Sequence, residues 1–270
     1  VTLRLLSYNV RFGGVGREAA IAEVIRATRP DLVVFQEAIN PRVVERLSRE
    51  TGLPHWGARH GHSIGFLSRV PLPAHQWHHP RGARHSFLEI VLPDGHARVF
   101  GLHLSAWFSR WSERRRAREI RALLTGIAEH REGFHVLVGD FNTLAPGEQL
   151  HPHRMPRWIQ ALIWLSGRDI QRDTIQTVLD AEYTDAYRRR HPGDPGYTFP
   201  TWDPHVRLDY VFVPTRYTDR VPTCDVVREA PAAVAASDHF PLLATLEVGF
   251  PAPLPEPGES ERAAAPGPLG

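Results

Sequence analysis

Asp140 and Asn142 stand at the end of Val136-Leu137-Val138-Gly139, an uncharged run that reads as a strand buried on both faces. Polar residues begin where such a strand would emerge, so chemistry is expected at that end. If strand geometry continues, side chains two apart leave the same face, here a carboxylate acceptor and an amide with an NH₂ donor. The pairing suits a water nucleophile beside a phosphoryl oxygen; the plainer reading is a strand followed by an Asx-rich turn. Other polar groups end or border apolar runs elsewhere: Asn9, Glu37, His103, Asp209, and Asp238 with His239. Each has a structural alternative. Asn9 could cap a turn, Asp209 could pair with Arg207, and Asp238-His239 could cap the last strand. Glu37 is harder to explain that way, because a carboxylate at the end of an apolar strand costs free energy unless it is solvated or paired.

The elements that must position these groups are legible from periodicity. Leu3, Leu5, Leu6 and Tyr8 make a strand ending in Asn9; Ile21, Val24, Ile25 and Thr28 follow at helical spacing, Pro30 stops the helix, and Leu32-Val33-Val34-Phe35 is a second buried strand. In such a strand–helix–strand unit both strands run parallel, so Asn9 and Glu37 are expected at one edge of the sheet. A helix over 41–49 comes next, with Asn40 as N-cap and Gly52 beyond its end. Strands are predicted over 64–68, 87–92 and 99–104, the last two forming a hairpin through Pro93-Asp94-Gly95, with His103 at its exit. A helix over 112–130 has an apolar stripe of Ile120, Leu123, Leu124 and Ile127 and an arginine-rich first half. Residues 144–176 are the least regular, with an inserted helix between Pro156 and Gly167 that could be a lid, a partner surface or an interfacial anchor, the plainer expectation being a buried helix. Strands over 206–213 and 240–248 complete the pattern.

At 270 residues and 42% hydrophobic composition the chain can bury a substantial core, and one domain over 1–250 is expected, followed by a flexible tail rich in Pro, Gly and Ala over 251–270. The single cysteine, Cys224, excludes an intramolecular disulfide framework and a cysteine-based zinc cluster, leaving oxygen and imidazole as the metal ligands. All 32 basic residues are arginine, a side chain suited to bidentate phosphate contacts. The net charge is only +2, so local clusters matter more than the total. No apolar run is long enough to span a bilayer and no signal peptide is seen, which favours a cytoplasmic location unless the numbering starts after processing.

Taken in order, Ser7-Tyr8-Asn9, Phe35-Gln36-Glu37, Gly101-Leu102-His103-Leu104, Gly139-Asp140-Phe141-Asn142-Thr143, Arg207-Leu208-Asp209-Tyr210-Val211 and Ser237-Asp238-His239-Phe240-Pro241 resemble the motifs of the endonuclease/exonuclease/phosphatase superfamily, over residues 3–247. The resemblance implies an α/β fold of the DNase I-like kind, a four-layer α-β-β-α sandwich of two mixed β-sheets flanked by helices. It also implies a divalent-metal-dependent phosphodiesterase. Glu37 would be the principal ligand of Mg²⁺ or Mn²⁺, with Asn9 and Asp238 completing or flanking the site, in keeping with the preference of these ions for oxygen. Asp140 would orient or deprotonate the water and Asn142 would hold a phosphate oxygen. His239 would stabilise the transition state, its tautomer fixed by Asp209, and His103 would be a second donor to the phosphate. The complete acidic set argues against a non-catalytic binding module that merely retains the fold.

Substrate must be read from loops, since one fold hosts many functions. Trp107, Arg110 and Trp111 belong to an interleaved aromatic and basic stretch that continues through Arg114, Arg115, Arg116 and Arg118. Such a surface can track phosphates and stack bases, or lie at a membrane interface. It could equally be a helix whose Trp residues pack on the body and whose arginines are solvated. Tyr197 and Trp202 precede the Asp209 strand, in a loop that rims the active site in this superfamily; aromatics there suit a nucleotide or an acyl chain. A nucleic-acid substrate ranks first, a phospholipid or small phosphoester second, and no protein partner can be inferred.

Overall fold

Alternation of apolar side chains along the strands decides the layering. The computed structural model describes residues 1–81, 83–106, 109–165 and 171–249; Trp107 and the expected tail over 251–270 lie outside the described residues. The chain opens with β1 (Thr2–Asn9), α1 (Glu18–Thr28) and β2 (Leu32–Gln36), and the two strands are parallel with Asn9 opposite Gln36, as the sequence implies. In α2 (Pro41–Thr51) the Asn40 side chain accepts from the Arg42 amide at 3.1 Å, and Gly52 turns left-handed (φ 68°) beyond the end, a position that favours glycine. Then come β3 (His55–Gly57) and β4 (Ile64–Ser68).

The second half holds β5 (Ala74–His78), β6 (Phe87–Val91), β7 (Arg98–His103), α3 (Arg110–Gly126) and β8 (His135–Asp140). After these follow α4 (Arg157–Leu165), α5 (Asp173–Asp180), β9 (Tyr183–Asp185), α6 (Ala186–Arg190), β10 (Asp209–Pro214), β11 (Thr223–Val226), α7 (Ala233–Ala236) and β12 (Leu242–Glu247). β6 and β7 form the expected hairpin, its turn held by Asp94, whose carboxylate accepts from the His96 and Ala97 amides at 3.0 and 2.8 Å. One mixed sheet runs β11-β12-β1-β2-β4-β3, the other β5-β6-β7-β8-β10-β9.

Three apolar layers separate four structural ones. Leu5, Val34 and Phe66 from the first sheet meet Val99, Val136, Val138 and Val211 from the second, filling the space between sheets. Their alternate neighbours face outward: Leu6, Val33 and Phe35 pack on Ile21, Val24, Val44 and Ala233 of α1, α2 and α7, while Leu137, Tyr210 and Phe212 pack with Ile120, Leu123, Ile175 and Val178 of α3 and α5. The fold is therefore the α-β-β-α sandwich. Among the described residues no helix is long and apolar enough to cross a membrane.

Several expected boundaries move. The helix predicted over 112–130 starts at Arg110, capped by Ser109, and gives way after Gly126 to one 3₁₀ turn. The strand predicted over 206–213 starts only at Asp209, because Val206 is engaged in a bridge to Phe199. The inserted helix is α4, and two of its residues depart from the buried expectation: Trp158 and Trp164 are 50% and 61% exposed.

Gly139 carries the tightest constraint near the site. Its φ of +145° is open to glycine, and a Cβ there would meet the Leu102 carbonyl oxygen of β7 at 1.9 Å. The atom it would meet is backbone and a Cβ has no rotamer with which to avoid it, so Gly139→Ala is expected to cost about 3 kcal/mol or more in urea unfolding. A loss under about 1 kcal/mol would contradict the close approach of β7 and β8.

Candidate active site

β1 and β2 of one sheet and β7, β8 and β10 of the other deliver their polar ends to a single place. Parallel pairing sets His103 beside Asp140, and antiparallel pairing sets Asp209 beside Asp140 on the other flank. Asn9 crosses between the sheets: its Nδ2 donates to Asp140 Oδ2 at 3.0 Å and to Glu37 Oε1 at 3.3 Å. Its Oδ1 accepts from the Arg11 amide at 2.9 Å. Glu37 Oε2 accepts from the Phe12 amide at 2.6 Å. His239, on the loop before β12, donates from Nδ1 to Asp209 Oδ2 at 2.9 Å and turns Nε2 to within 3.9 Å of Asp140 Oδ2. His103 Nε2 lies 3.8 Å from that same oxygen.

Asn142 joins this group by a different route from the one its spacing suggests. β8 ends at Asp140, and Asn142 adopts a left-handed backbone (φ 53°), which asparagine tolerates. Its amide N–H reaches Asp140 Oδ1 at 2.8 Å, and its side-chain Nδ2 donates to the Leu104 carbonyl at 3.0 Å and to Asp140 Oδ2 at 3.2 Å. The Asx-type turn is thus present, while the strand geometry that would have put both side chains on one face stops at Asp140. Asp209 does not pair with Arg207, the alternative the sequence left open. Arg207 is buried between Glu148 and Asp185, at 2.5 and 2.6 Å.

The sequence over residues 6–239 matches the Endonuclease/Exonuclease/phosphatase family. The chain belongs to that family. Its fold is similar to that of a 3′ phosphatase, NExo, from Neisseria bound to product DNA hairpin, at 18% identity and TM-score 0.70 over 91% of this chain and 100% of that one. An AP endonuclease from Archaeoglobus fulgidus is similar at 18% identity and TM-score 0.72, with the same coverage. A humanized D. rerio TDP2 matches at 16% identity and TM-score 0.64, over 92% of this chain and 99% of that one. No curated protein matches the sequence. The family chemistry is divalent-metal-dependent hydrolysis of phosphoesters.

The family's metal requirement fits the donors present. Glu37 is a half-buried carboxylate, and no arginine or histidine pairs with it among the described residues, which suits it to a cation. Asp140 and Asp238 add further oxygens, a hard donor set suited to Mg²⁺ or Mn²⁺, while Asn9 turns its NH₂ group toward Glu37 and Asp140 and its Oδ1 to the Arg11 amide. Asp238 is half-buried and paired with Arg11, whose Nε lies 3.3 Å from Oδ2. By distance alone Asp140, Asp209 and His239 could also hold an ion, their ligand atoms lying within 4.8 Å of one another. The hydrogen bond from His239 Nδ1 to buried Asp209 Oδ2 argues for a proton-holding pair there.

Burial would push His239 down, but the Asp209 carboxylate and its hydrogen bond, with Asp140 and Asp238 behind, outweigh it and raise the imidazole to about 10. Asp140 is raised to about 7, by burial first; the His239 charge opposes that rise and Asp209 adds to it. His103 is lowered to about 3 by burial, reinforced by His85 and His239, so it is a neutral imidazole at physiological pH.

Of the expected substrate residues, Trp202 is 63% exposed and joins the site through Phe199, whose ring lies 6.4 Å from it and 4.8 Å from that of His239. Tyr197 instead meets His151 at 3.1 Å and lines a cavity of about 570 Å³ with Glu148, Arg188 and Arg207, which contains none of the catalytic candidates. Arg110 and Trp111 are exposed on the first turn of α3. No sequence pattern pointed to Arg11, which reaches Asp238 only through a left-handed turn. His85, stacked 5.2 Å from His103, was also missed, though its place two residues before the strand paired with β7 could have signalled it.

The raised His239 pKa contributes stability that is whole below its ordinary value near 6.5 and is lost as pH rises toward 10. Asp209→Asn removes the cause: NMR should show His239 charged through neutrality in the wild type and titrating far lower in the variant. Stability at pH 6 should fall by about 3 kcal/mol, with its decline above pH 6.5 flattened. A wild-type His239 titrating at or below its ordinary value would remove the pair from the site's electrostatics.

Proposed function

We propose that this protein is a Mg²⁺- or Mn²⁺-dependent nuclease that hydrolyses phosphodiester bonds of DNA or RNA by attack of water. The observation that carries the reading is the meeting of an imidazolium and a high-pKa carboxylate, His239 and Asp140, 3.9 Å apart, with Glu37, with which no arginine or histidine pairs among the described residues, tied to Asp140 through Asn9. A phosphodiester needs charge stabilised on its nonbridging oxygens, a positioned water and a departing oxygen that is helped to leave.

Asp140 is the residue fitted to orient the water and take its proton at Oδ2, since a base is most effective with a pKa near the working pH. His239 Nε2 faces the same oxygen and carries a proton that Asp209 keeps in place from the far side of the ring. It is positioned to donate to a phosphoryl oxygen as negative charge builds there. Neutral His103 supplies a second N–H, and Asn142 holds Asp140 in register, its NH₂ group donating to Asp140 Oδ2 and to the Leu104 carbonyl. Glu37 and Asp238 would hold the divalent ion, with Asn9 orienting Glu37 beside it, and the ion when bound supplies charge neutralisation at phosphoryl oxygen. Asp238 is neutralised in part by Arg11, so Glu37 is the principal ligand.

A nucleic-acid substrate is supported by the exposed arginines of α3 next to His103, and by neighbours of the same fold described as a phosphatase bound to a DNA hairpin and an AP endonuclease. Trp111 and Trp202 are exposed aromatic side chains of the kind on which bases stack.

Hydrolysis of supercoiled DNA, single-stranded oligonucleotide, RNA, sphingomyelin and bis-p-nitrophenyl phosphate, each with Mg²⁺, Mn²⁺ or chelator, tests this directly. Polynucleotide cleavage that chelator abolishes is expected; lipid turnover without polynucleotide cleavage would reverse the assignment. His239→Ala should lower kcat about 10²–10⁴-fold with the fold retained by circular dichroism. Glu37→Gln should raise the Mg²⁺ concentration for half-activation about tenfold or more, and an unchanged titration would show that another group is the ligand.

A further inference from the structure

The solvent face of α3 carries a charge imbalance that packing does not use. Its two carboxylates, Glu113 and Glu119, are both buried and both engaged inward. Glu113 binds Arg116, the Thr143 hydroxyl and the Thr174 amide, each at 2.8 Å, so Arg116 is a structural arginine with no surface to offer a ligand. Glu119 accepts from the Ser105 amide and hydroxyl at 3.1 and 2.9 Å and from the Arg84 amide at 3.0 Å. Arg110, Arg114, Arg115, Arg118 and Arg121 are left exposed, with no carboxylate on the outer face of the helix.

Glu119 thereby fixes two walls of a groove. Trp111, Arg115 and Arg118 recur at spacings of four and three and share one helix face. Arg84 is brought opposite them by its own backbone bond to Glu119. With Ser105, Ala106 and Ser112 these residues line a cavity of about 220 Å³, and a second of about 300 Å³ continues between Ala83, Arg84, Arg115 and Arg118. Among the described residues no carboxylate lies within ion-pair distance of Arg84, Arg115 or Arg118; Arg118 Nε makes a 3.3 Å bond to the Arg114 carbonyl. Guanidinium groups gathered in a concavity without counter-charge focus a positive potential into it. The groove also opens beside the chemistry: Ser105 follows His103 by two residues, and His85, next to Arg84, stacks on the His103 ring.

We propose that this groove is a second phosphate-binding subsite, in which Arg84, Arg115 and Arg118 hold non-scissile phosphates of the polynucleotide strand that flanks the scissile bond. The inference rests on the nucleic-acid reading and extends it: the site selects phosphodiester polymers over isolated phosphoesters, because only a polymer reaches both centres. A concave groove suits a strand; a bilayer, which presents a broad surface, would not enter it.

The double variant Arg115→Ala/Arg118→Ala separates these possibilities, since both side chains are exposed and their loss leaves the core untouched. Binding of a fluorescent single-stranded oligonucleotide in chelator, followed by anisotropy across a salt series, should weaken about tenfold, with the slope of log Kd against log salt reduced by about 0.7 for each arginine. The charge-keeping Arg115→Lys/Arg118→Lys should restore most of the slope. With Mg²⁺, KM for oligonucleotide should rise and the ratio of oligonucleotide to bis-p-nitrophenyl phosphate turnover should fall. An unchanged salt slope in the alanine variant would overturn the assignment. So would arginine-dependent binding to phosphatidylserine vesicles with oligonucleotide affinity intact. Arginine-dependent oligonucleotide binding without oligonucleotide cleavage would instead sink the nuclease reading and support the groove.

Discussion

A single side-chain amide ties the two halves of the site together. Asn9 ends a strand of one sheet, and its NH₂ group holds Glu37 of that sheet and Asp140 of the other. Two carboxylates brought this close repel each other, and burial would force one to take a proton unless donors or a cation intervene. The amide supplies two hydrogen bonds from one nitrogen without carrying charge of its own, so a net negative concavity is kept for a cation while both acids are still oriented. An aspartate at position 9 would add repulsion and an alanine would leave both carboxylates unsupported. The relative placement of the sheets therefore sets the chemistry, and the apolar layer between them, Val34 and Phe66 against Val99 and Val138, is what fixes that placement.

The backbone near the site is held in conformations that ordinary residues avoid. Arg11, Phe12, Glu37 and Asn142 all have φ between 47° and 59°, in a region that costs non-glycine residues of order 1–3 kcal/mol each. Each is restrained by the polar network: the Phe12 amide binds Glu37, the Arg11 amide binds Asn9, and the Asn142 amide binds Asp140. The strain and the orientation of the acids thus have one origin, chain turns tight enough to aim backbone N–H groups at carboxylates. Further out, Tyr210 donates to the Thr143 carbonyl at 3.0 Å and the buried Glu113 takes the Thr143 hydroxyl, pinning the turn after Asp140 to β10 and α3.

What the sequence made legible follows from where burial is two-sided. β1, β2, β4, β7 and β8 carry apolar residues on both faces and were all visible as runs. The four strands that periodicity did not reveal, β3, β5, β9 and β11, are the outer members of the two sheets. They have three to five residues, and β5, Ala-His-Gln-Trp-His, is largely exposed, so neither alternation nor composition marks it. Seven catalytic or metal candidates, Asn9, Glu37, His103, Asp140, Asp209, Asp238 and His239, converge because they end interior strands or the loops beside them, where register is fixed by core packing. Asn142 and Tyr197 show the limit. Asn142 lies just past β8 and Tyr197 in the loop between α6 and β10, where the chain direction depends on turn conformation rather than on a repeating pattern, and spacing alone could not say which way either would face.

The same distinction separates the arginines. Seen as letters, Arg114 to Arg118 form one basic cluster, yet burial divides them into unlike roles. Arg116 is enclosed with Glu113, an arrangement that costs desolvation on both partners and holds a loop of the active site in place. Its neighbours at 115 and 118 point to solvent, where the helix supplies no acid to balance them. Arg207 repeats the inward case between Glu148 and Asp185, and the two carboxylates hold its guanidinium well above the ordinary range despite burial. Counting charge therefore says little about substrate in this chain. The fold places acids beside the arginines it uses as struts and withholds them from those that face the groove, and that difference, set by helix period and packing, gives the surface beside His103 its positive character.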